Sequence, residues 1–259
     1  MVSIFTGLGP GFERGSGATL GGLGVLGSGA KGLSGENVSL NAVTGNLLIS
    51  RQDEFLVGRG PDAAINRTYN SLGALDENGD NWRMGTDRRV FSLTGTVNTA
   101  GSTVKRVSSD GSEITYTYRS GPGSVMAYWT TDGAGAHDRL TFSASVWTWT
   151  DGDSQISETY SAYGSYWRIT RQADLDGNAL TFTYTGANLN RVTTANQEYV
   201  EYSFTGNNLT QVKTGYTDLY YGGAKTLTRV RYGYDTSNRL TTVTVDLSPD
   251  DNAITDGKT

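Results

Sequence analysis

The sequence predicts an all-β protein, and three observations support this prediction. First, three segments can be laid over one another: residues 180–192, 200–212 and 230–243. Each has three large apolar or aromatic residues at every second position, then a polar turn with Gly, Asn or Asp, then Leu-x-x-Val. Second, the 259 residues include 35 Gly, only 4 Pro and abundant Thr and Tyr, which favours pleated strands and tight turns. Third, the chain has no sustained amphipathic run of helix-forming residues.

The three segments indicate a strand–turn–strand unit that repeats. Units 20 to 30 residues apart are typical of an array in which each hairpin buries its face on the next one. We therefore expect a continuous antiparallel sheet in which the period-two residues of all units share one face. These residues are Leu180, Phe182, Tyr184, Val200, Tyr202, Phe204, Val230, Tyr232 and Tyr234. We also expect Asn188, Asn208 and Asn238 to occupy equivalent turn positions, some with positive φ.

Residues 1–35 form a Gly-rich, low-complexity segment. Ordering such a segment has a high entropy cost, but leucines recur between positions 20 and 33, so we expect it to become ordered by docking on another surface. Its run from Gly22 to Gly27 fits the G-x-G-x-x-G pattern of dinucleotide sites. Such a site needs a strand before the pattern and a helix after it. Neither is predicted, so low complexity is the preferred interpretation and no cofactor is expected.

The remaining chain divides near residue 90. Residues 36–90 predict short strands separated by turns. Residues 91–259 predict a run of hairpins, because Asp-Gly turns precede alternating segments several times, and the repeat units lie at about residues 180–246. The polar tail after Pro249 is expected to fray.

Several short motifs resemble those of Rhs proteins. The run Tyr234-Asp235-Thr-Ser-Asn238-Arg239-Leu240 is similar to their Tyr-Asp repeat, with Asn238 where Gly is usual. Four motifs of the front half follow, in order, the segment that precedes such repeats. They are Thr44-Gly45-Asn46-Leu47-Leu48, Gly58-Arg59-Gly60-Pro61, Arg67-Thr68-Tyr69-Asn70-Ser71 and Asn81-Trp82-Arg83. The resemblance covers roughly residues 36–246 and leaves the Gly-rich start unmatched.

The resemblance implies a structural role. Members of this family, which includes the C component of insecticidal toxin complexes and teneurins, build a spiralling β-sheet that closes into a hollow shell. In the bacterial members the shell holds a toxic C-terminal domain. The resemblance therefore implies a curved, shell-like sheet in a secreted or cell-surface assembly, with no enzymatic activity of its own. Only the third unit has the Tyr-Asp pair, and about three units are too few to enclose a toxin, so the chain is a fragment, a short relative or one subunit of an assembly.

Composition argues against several other partners. The net charge of −5 argues against nucleic acid, since phosphate binding needs a basic stripe, and the densest basic cluster is only Arg83, Arg88 and Arg89. Residues 15–30 contain too many glycines for a membrane-spanning helix. Residues 1–11 lack the basic and apolar regions of a signal peptide, so an export signal is not visible. Without cysteine, the chain has neither disulfides nor thiol chemistry.

Few residues point to catalysis or to a metal. His137 is the single histidine, and Asp138 lies too close in sequence to orient it as in the usual serine triad, so a polar turn is preferred. One His without Cys cannot fill a histidine-based zinc site. The turns Asp76–Asp80 and Asp174–Asn178 offer oxygen atoms that calcium prefers, but neither has the EF-hand spacing. We therefore predict structural turns, no metal site and no catalytic residues.

An aromatic cluster between residues 128 and 167 offers the alternative function. If these rings are exposed, they could bind glycans or a partner protein; if they are buried, they are core. The candidate binding residues are Trp129, Trp147, Trp149, Tyr166 and Trp167. The main hypothesis is a structural scaffold. A sheet ending after three units would leave an edge and an apolar face uncovered, so we expect further chain or partner subunits against the 180–246 sheet.

Overall fold

The structure is a computed structural model. It describes residues 36–72, 78–109, 111, 113–130, 137–218, 220 and 222–249, together with the backbone of residues 3–5 and 30–31. Within these ranges every element is a β-strand except one 3₁₀ turn at Pro122–Ser124. All strand pairs are antiparallel except one between the first and third strands. The all-β, antiparallel prediction is confirmed.

The first sheet contains six strands and covers the part of the chain before residue 85. Its strands are β1 Ser3–Phe5, β2 Ala30–Lys31, β3 Asn37–Asn41, β4 Leu47–Leu56, β5 Ala63–Asn70 and β6 Trp82–Met84. The order is β1-β3-β4-β5-β6, and β2 also pairs with β3. The described parts of the Gly-rich segment therefore pair with β3. The rest of that segment lies outside the described residues, as do Asp76 and the tail from Asp250 onward. We call β1–β6 the front sheet.

Eight strands of the second sheet close into a barrel. They are β7 Arg89–Thr94, β8 Thr103–Val107, β9 Glu113–Ser120, β10 Met126–Trp129, β11 Arg139–Ser143, β12 Val146–Thr150, β13 Ser157–Tyr163 and β14 Tyr166–Ala173. Each pairs with the next in sequence, and β14 also pairs with β7 through Trp167 and Val90. The sequence predicted these hairpins, but it did not predict that they close on themselves.

The repeat units continue from the barrel as six further strands. They are β15 Ala179–Thr185, β16 Asn188–Thr193, β17 Tyr199–Thr205, β18 Asn208–Thr217, β19 Ala224–Tyr234 and β20 Leu240–Val245. The first of them pairs with the C-terminal half of β14, so barrel and repeats form one sheet of 14 strands. We call β15–β20 the array.

The array has the predicted face. Phe182 lies opposite Val192, and Val192 lies opposite Val200. The same face continues through Tyr202 to Val212 and Val230. All nine predicted residues are buried or half-buried and belong to one hydrophobic core. The prediction of a shared inner face is confirmed.

Each unit also has a β-bulge at the same place. The register shifts between Thr183 and Tyr184, between Ser203 and Phe204, and between Gly233 and Tyr234. In every unit the shift comes immediately before the last inward aromatic residue of the outgoing strand. Because a bulge bends its strand and increases the local twist, each unit is bent at the same place.

The turn prediction is only partly correct. Asn238 has φ of 61°, as expected. Asn188 and Asn208 instead begin the returning strands, and Gly186 and Gly206 take the positive φ with values of 60° and 61°. Glycine at the first position of a two-residue loop fits the tight hairpins of these two units, whereas the third loop spans residues 235–239.

Candidate functional site

The barrel interior contains most of the predicted binding residues. Trp147 is 0%, Trp149 4% and Trp129 5% exposed. Trp167 is half-buried and packs edge-on against Trp147, with ring centroids 6.0 Å apart. Tyr166 is half-buried, and the guanidinium carbon of Arg89 lies over its ring, 4.6 Å from the Tyr166 ring centroid. Trp147 and Trp149 therefore belong to the hydrophobic core of the barrel, whereas Trp129 is buried outside that core, where its Nε1 donates to the carbonyl of Val125.

One end of the barrel contains a buried cluster of charged side chains. Arg88 and Arg106 both bind the carboxylate of Glu158, and the Tyr160 hydroxyl donates to the same carboxylate. The side chains of Arg106 and Glu158 are each 3% exposed, and that of Arg88 is 9% exposed. The guanidinium of Arg106 lies 3.7 Å from the ring centroid of Trp149. We call this group the barrel-end cluster.

The cluster shifts the pKa values of its members. Burial alone would raise the pKa of Glu158, but the charges of Arg106 and then Arg88 outweigh it and lower this pKa to about 2. Burial raises the pKa of Tyr160 well above its ordinary value. Glu158 is therefore ionised and Tyr160 neutral near pH 7, so two guanidinium cations share one carboxylate.

A recess opens beside this cluster. It has a volume of about 100 Å³ and is lined by Arg88, Arg106, Glu158, Trp149 and polar side chains of neighbouring loops and strands. Gln172 is among them, and its Oε1 accepts from Arg88 Nη2 at 3.3 Å. The Nε of Arg88 is buried and has no hydrogen-bond partner among the described residues. The sequence analysis missed this site, although inward-facing charges at Arg106 and Glu158 within alternating strands were its visible signal.

A second buried ionic group joins the front sheet to the array. Arg67 of β5 binds Asp53 of β4 through Nε at 2.7 Å and Nη2 at 3.0 Å. Tyr232 of β19 donates its hydroxyl to the same carboxylate at 2.9 Å. Nearby, Arg229 of the array forms an ion pair with Glu54. The expectation that the inner face of the array lacks a covering layer is therefore wrong, because the front sheet of the same chain packs on it.

A small cavity remains between these two layers. It measures about 90 Å³. The inward aromatic residues of the three units line one side, and Trp82, Arg83 and Met84 of β6 line the other. Arg83 binds Asp87, but its Nη1 is buried without a partner among the described residues. The cavity is thus a mostly apolar space with two buried cations, Arg67 and Arg83, at its wall.

The asparagines of the repeat turns connect neighbouring hairpins. Asn188 Nδ2 donates to the carbonyl of Gly206 at 3.1 Å, and Asn208 Nδ2 donates to Asn238 Oδ1 at 3.0 Å. Asn78 of the front sheet's last loop donates to Asn208 Oδ1 at 3.2 Å. These contacts explain the recurrence of Asn in the repeats better than backbone conformation does, because only Asn238 has positive φ.

The array ends at a strand edge. Within the described residues no strand pairs with the outer edge of β20. Asp246 donates its backbone N–H to Arg229 on the inner edge. By alternation, the N–H groups of Val243 and Val245 point away from β19, toward the outer edge. The expectation that further chain or a partner covers this edge stays a prediction.

One of the two turns that raised the question of metal binding, Asp174–Asn178, is held by its own hydrogen bonds. The Asp174 carboxylate accepts from the backbone N–H of Asn178 at 2.9 Å and from its side-chain amide at 3.0 Å, which closes the turn. Among the described residues, no group of three or more acidic or histidine side chains is placed to hold a metal ion. His137 lines a surface recess beside Trp129 and Arg139. No helix in the described part of the chain is long and apolar enough to cross a bilayer.

Comparison with known proteins gives a short match. No family model matches the chain. The tRNA nuclease WapA of Bacillus subtilis (strain 168) is 39% identical over 57 residues, which is 22% of this chain. The tRNA(Glu)-specific nuclease WapA of Bacillus subtilis subsp. natto (strain BEST195) matches to the same extent. The chain spans about 2% of the length of these curated relatives.

Proposed function

We propose that this chain is a structural scaffold: a segment of curved β-sheet wall, of the Rhs type, that further strands extend at β20. The observation that carries the proposal is the recurrence of one bulge at the same position in all three repeat units. On this proposal the bends in successive units add, which suits the sheet to enclosing a space, and each added unit would continue the curve.

Two further observations support this function. The outer edge of β20 is free of strand partners within the described residues, and natural proteins seldom leave such an edge bare. The relatives that match the chain over 57 residues are far longer proteins and are named as nucleases. On this proposal the chain contributes wall and no chemistry, in a secreted or cell-surface assembly whose toxic activity would reside elsewhere. The glycan-binding alternative is not favoured, since its central tryptophans are buried.

Edge-dependent association tests the proposal. An edge that accepts strands should make the isolated chain associate as its concentration rises, which light scattering with sedimentation velocity measures. Lysines placed at Thr242 and Thr244 of β20 should abolish the association, because charged side chains on an edge strand block pairing. The matched control places lysines at Thr181 and Thr183, exposed positions of the internal strand β15, and should leave association unchanged. A chain that stays monomeric at all concentrations, or equal association in both variants, would contradict the proposal.

A further inference from the structure

The cavity between the front sheet and the array has a buried hydrogen-bond donor at its wall. Arg83 is 7% exposed, and its Nη2 donates to the backbone carbonyl and to the carboxylate of Asp87, at 3.1 Å each. Its Nη1 is buried and has no hydrogen-bond partner among the described residues. A buried donor that loses water without gaining an acceptor destabilises the folded chain. The position of Nη1 therefore favours an acceptor from a bound molecule.

Several other polar groups of the lining are already engaged. Both carboxylate oxygens of Asp80 accept backbone N–H groups, at 2.9 and 3.1 Å. The Tyr232 hydroxyl donates to Asp53, and Arg67 binds the same carboxylate through two nitrogens. These contacts hold the cavity wall in place and leave Arg83 Nη1 as the donor that a ligand can satisfy.

The charges of the lining balance. It contains two arginines, Arg67 and Arg83, and two aspartates, Asp80 and Asp87. An added ion would upset this balance, so the acceptor that fits is an uncharged one. Inward aromatic side chains of all three repeat units form much of the remaining wall. A wall of this kind favours a ligand with an apolar body.

The size of the cavity limits the size of the ligand. Its volume is about 90 Å³. An apolar cavity of about 150 Å³ admits benzene, so a smaller ring of about five atoms is the matching size here. The lining includes Ala187 and Asn207, which are exposed turn residues. A ligand can therefore enter from the turns of the first two repeat hairpins.

We propose that this cavity binds a small neutral ring compound of the cyclic ether or ketone class. Its oxygen accepts from Arg83 Nη1, and its carbons pack against the aromatic wall. Ligand sites are typically concave and mostly apolar, with a few polar groups that orient the ligand, and Arg83 is such a group. The site is independent of the scaffold function, since it lies between the two layers and not at the outer edge of β20.

Methionine methyl groups can report binding in the intact chain. Of the three methionines, Met84 lines the cavity, whereas Met126 is 49% exposed on a barrel strand. The methyl groups are labelled with ¹³C, and NMR spectra are recorded during titration with tetrahydrofuran or with cyclopentane, two five-membered rings that differ by one oxygen. We expect a saturating shift at Met84 and none at Met126. Tetrahydrofuran should bind about tenfold more tightly than cyclopentane, because only tetrahydrofuran supplies an acceptor.

The variant Arg83→Leu tests the role of the guanidinium. It removes the donor, while Asp87 keeps its ion pair with Arg89. The preference for tetrahydrofuran over cyclopentane should then disappear. The matched control is Arg191→Leu, which removes an arginine of the array that pairs with Glu201 and does not line the cavity. This control should keep the full preference.

The outcomes of the titrations separate clearly. The absence of a saturating shift at Met84 would mean that water alone fills the cavity, and it would overturn the inference. Equal binding of the two rings to the unchanged chain, or a preference that survives in Arg83→Leu, would overturn it as well. If Arg83→Leu does not fold, the comparison of the two rings in the unchanged chain still decides.

Discussion

Removing the Tyr232 hydroxyl should weaken the contact between the front sheet and the array. In Tyr232→Phe the ring keeps its volume and loses only its hydrogen bond to Asp53, which measures 2.9 Å and is buried. A hydrogen bond to a charged group contributes about 1.5–3 kcal/mol. Because Arg67 still binds Asp53 through two nitrogens, the carboxylate is not left alone. We therefore expect a loss of about 2 kcal/mol in the free energy of unfolding.

The assay is urea unfolding at neutral pH, followed by circular dichroism and by tryptophan fluorescence. The urea concentration at the unfolding midpoint should fall. The slope of the free energy of unfolding against urea concentration should stay constant, since the surface exposed on unfolding does not change. The matched control is Tyr234→Phe on the same strand, whose half-buried ring also faces the front sheet and lines the cavity. Its loss should stay within about 0.5 kcal/mol.

Equal losses in the two variants would refute this account of the contact between the layers. A stronger perturbation at the same place gives a second check. Asp53→Ala leaves the Arg67 guanidinium buried without its partner, which should cost about 3–5 kcal/mol. If Asp53→Ala were milder than Tyr232→Phe, the ionic group would not be the element that holds the layers together.

Three further predictions concern the barrel. Trp147→Ala, which empties the fully buried centre of the barrel, should lose about 3–5 kcal/mol in urea unfolding, and Trp167→Ala, at a half-buried ring, should lose less. Burial raises the pKa of Tyr116 from 10.0 to about 12 and that of Tyr160 well above its ordinary value. Their contribution to stability should therefore be full below pH 10 and be lost as the pH rises above it, in step with the absorbance of ionising tyrosine. The pKa of Glu158 is lowered from 4.5 to about 2, so its contribution should be present above pH 4.5 and lost as the pH falls toward 2; Glu158→Gln should flatten that part of a pH series of urea midpoints.

The array was predictable because its signals are local. Alternation at period two fixes which side chains share a face, and a buried face leaves no freedom to slip the register by one residue. Tyr202 and Tyr232 therefore lie where the repeats place them. The turn at Asn238 was predictable for the same reason, since a single residue in the left-handed region decides it.

The barrel and the layer contacts were not predictable because they depend on partners far apart in sequence. The pairing of Trp167 with Val90 closes the barrel, and no local pattern specifies it. The contact between Asp53 and Tyr232 likewise joins strands that are 179 positions apart in the sequence. The sequence left open whether Trp147 and Trp149 are exposed binding residues or core, and they are buried because the barrel closes around them.

The barrel is closed by a short strand pairing, which should be the first part of it to open. Strand β14 pairs with β7 through only Trp167–Val90 and Arg168–Arg89, with one further bond from the Ile169 N–H to Arg88. Along its other edge β14 pairs with β13 over its whole length. Breaking the pairing of β14 with β7 would turn the closed barrel into an open sheet while leaving β13, β14 and β15 paired. Local openings of this kind require only a fraction of the global unfolding energy. Hydrogen exchange of the Ile169 backbone amide should therefore be faster than that of the β14 amides that bond to β13. The barrel would open locally at the pairing of β14 with β7.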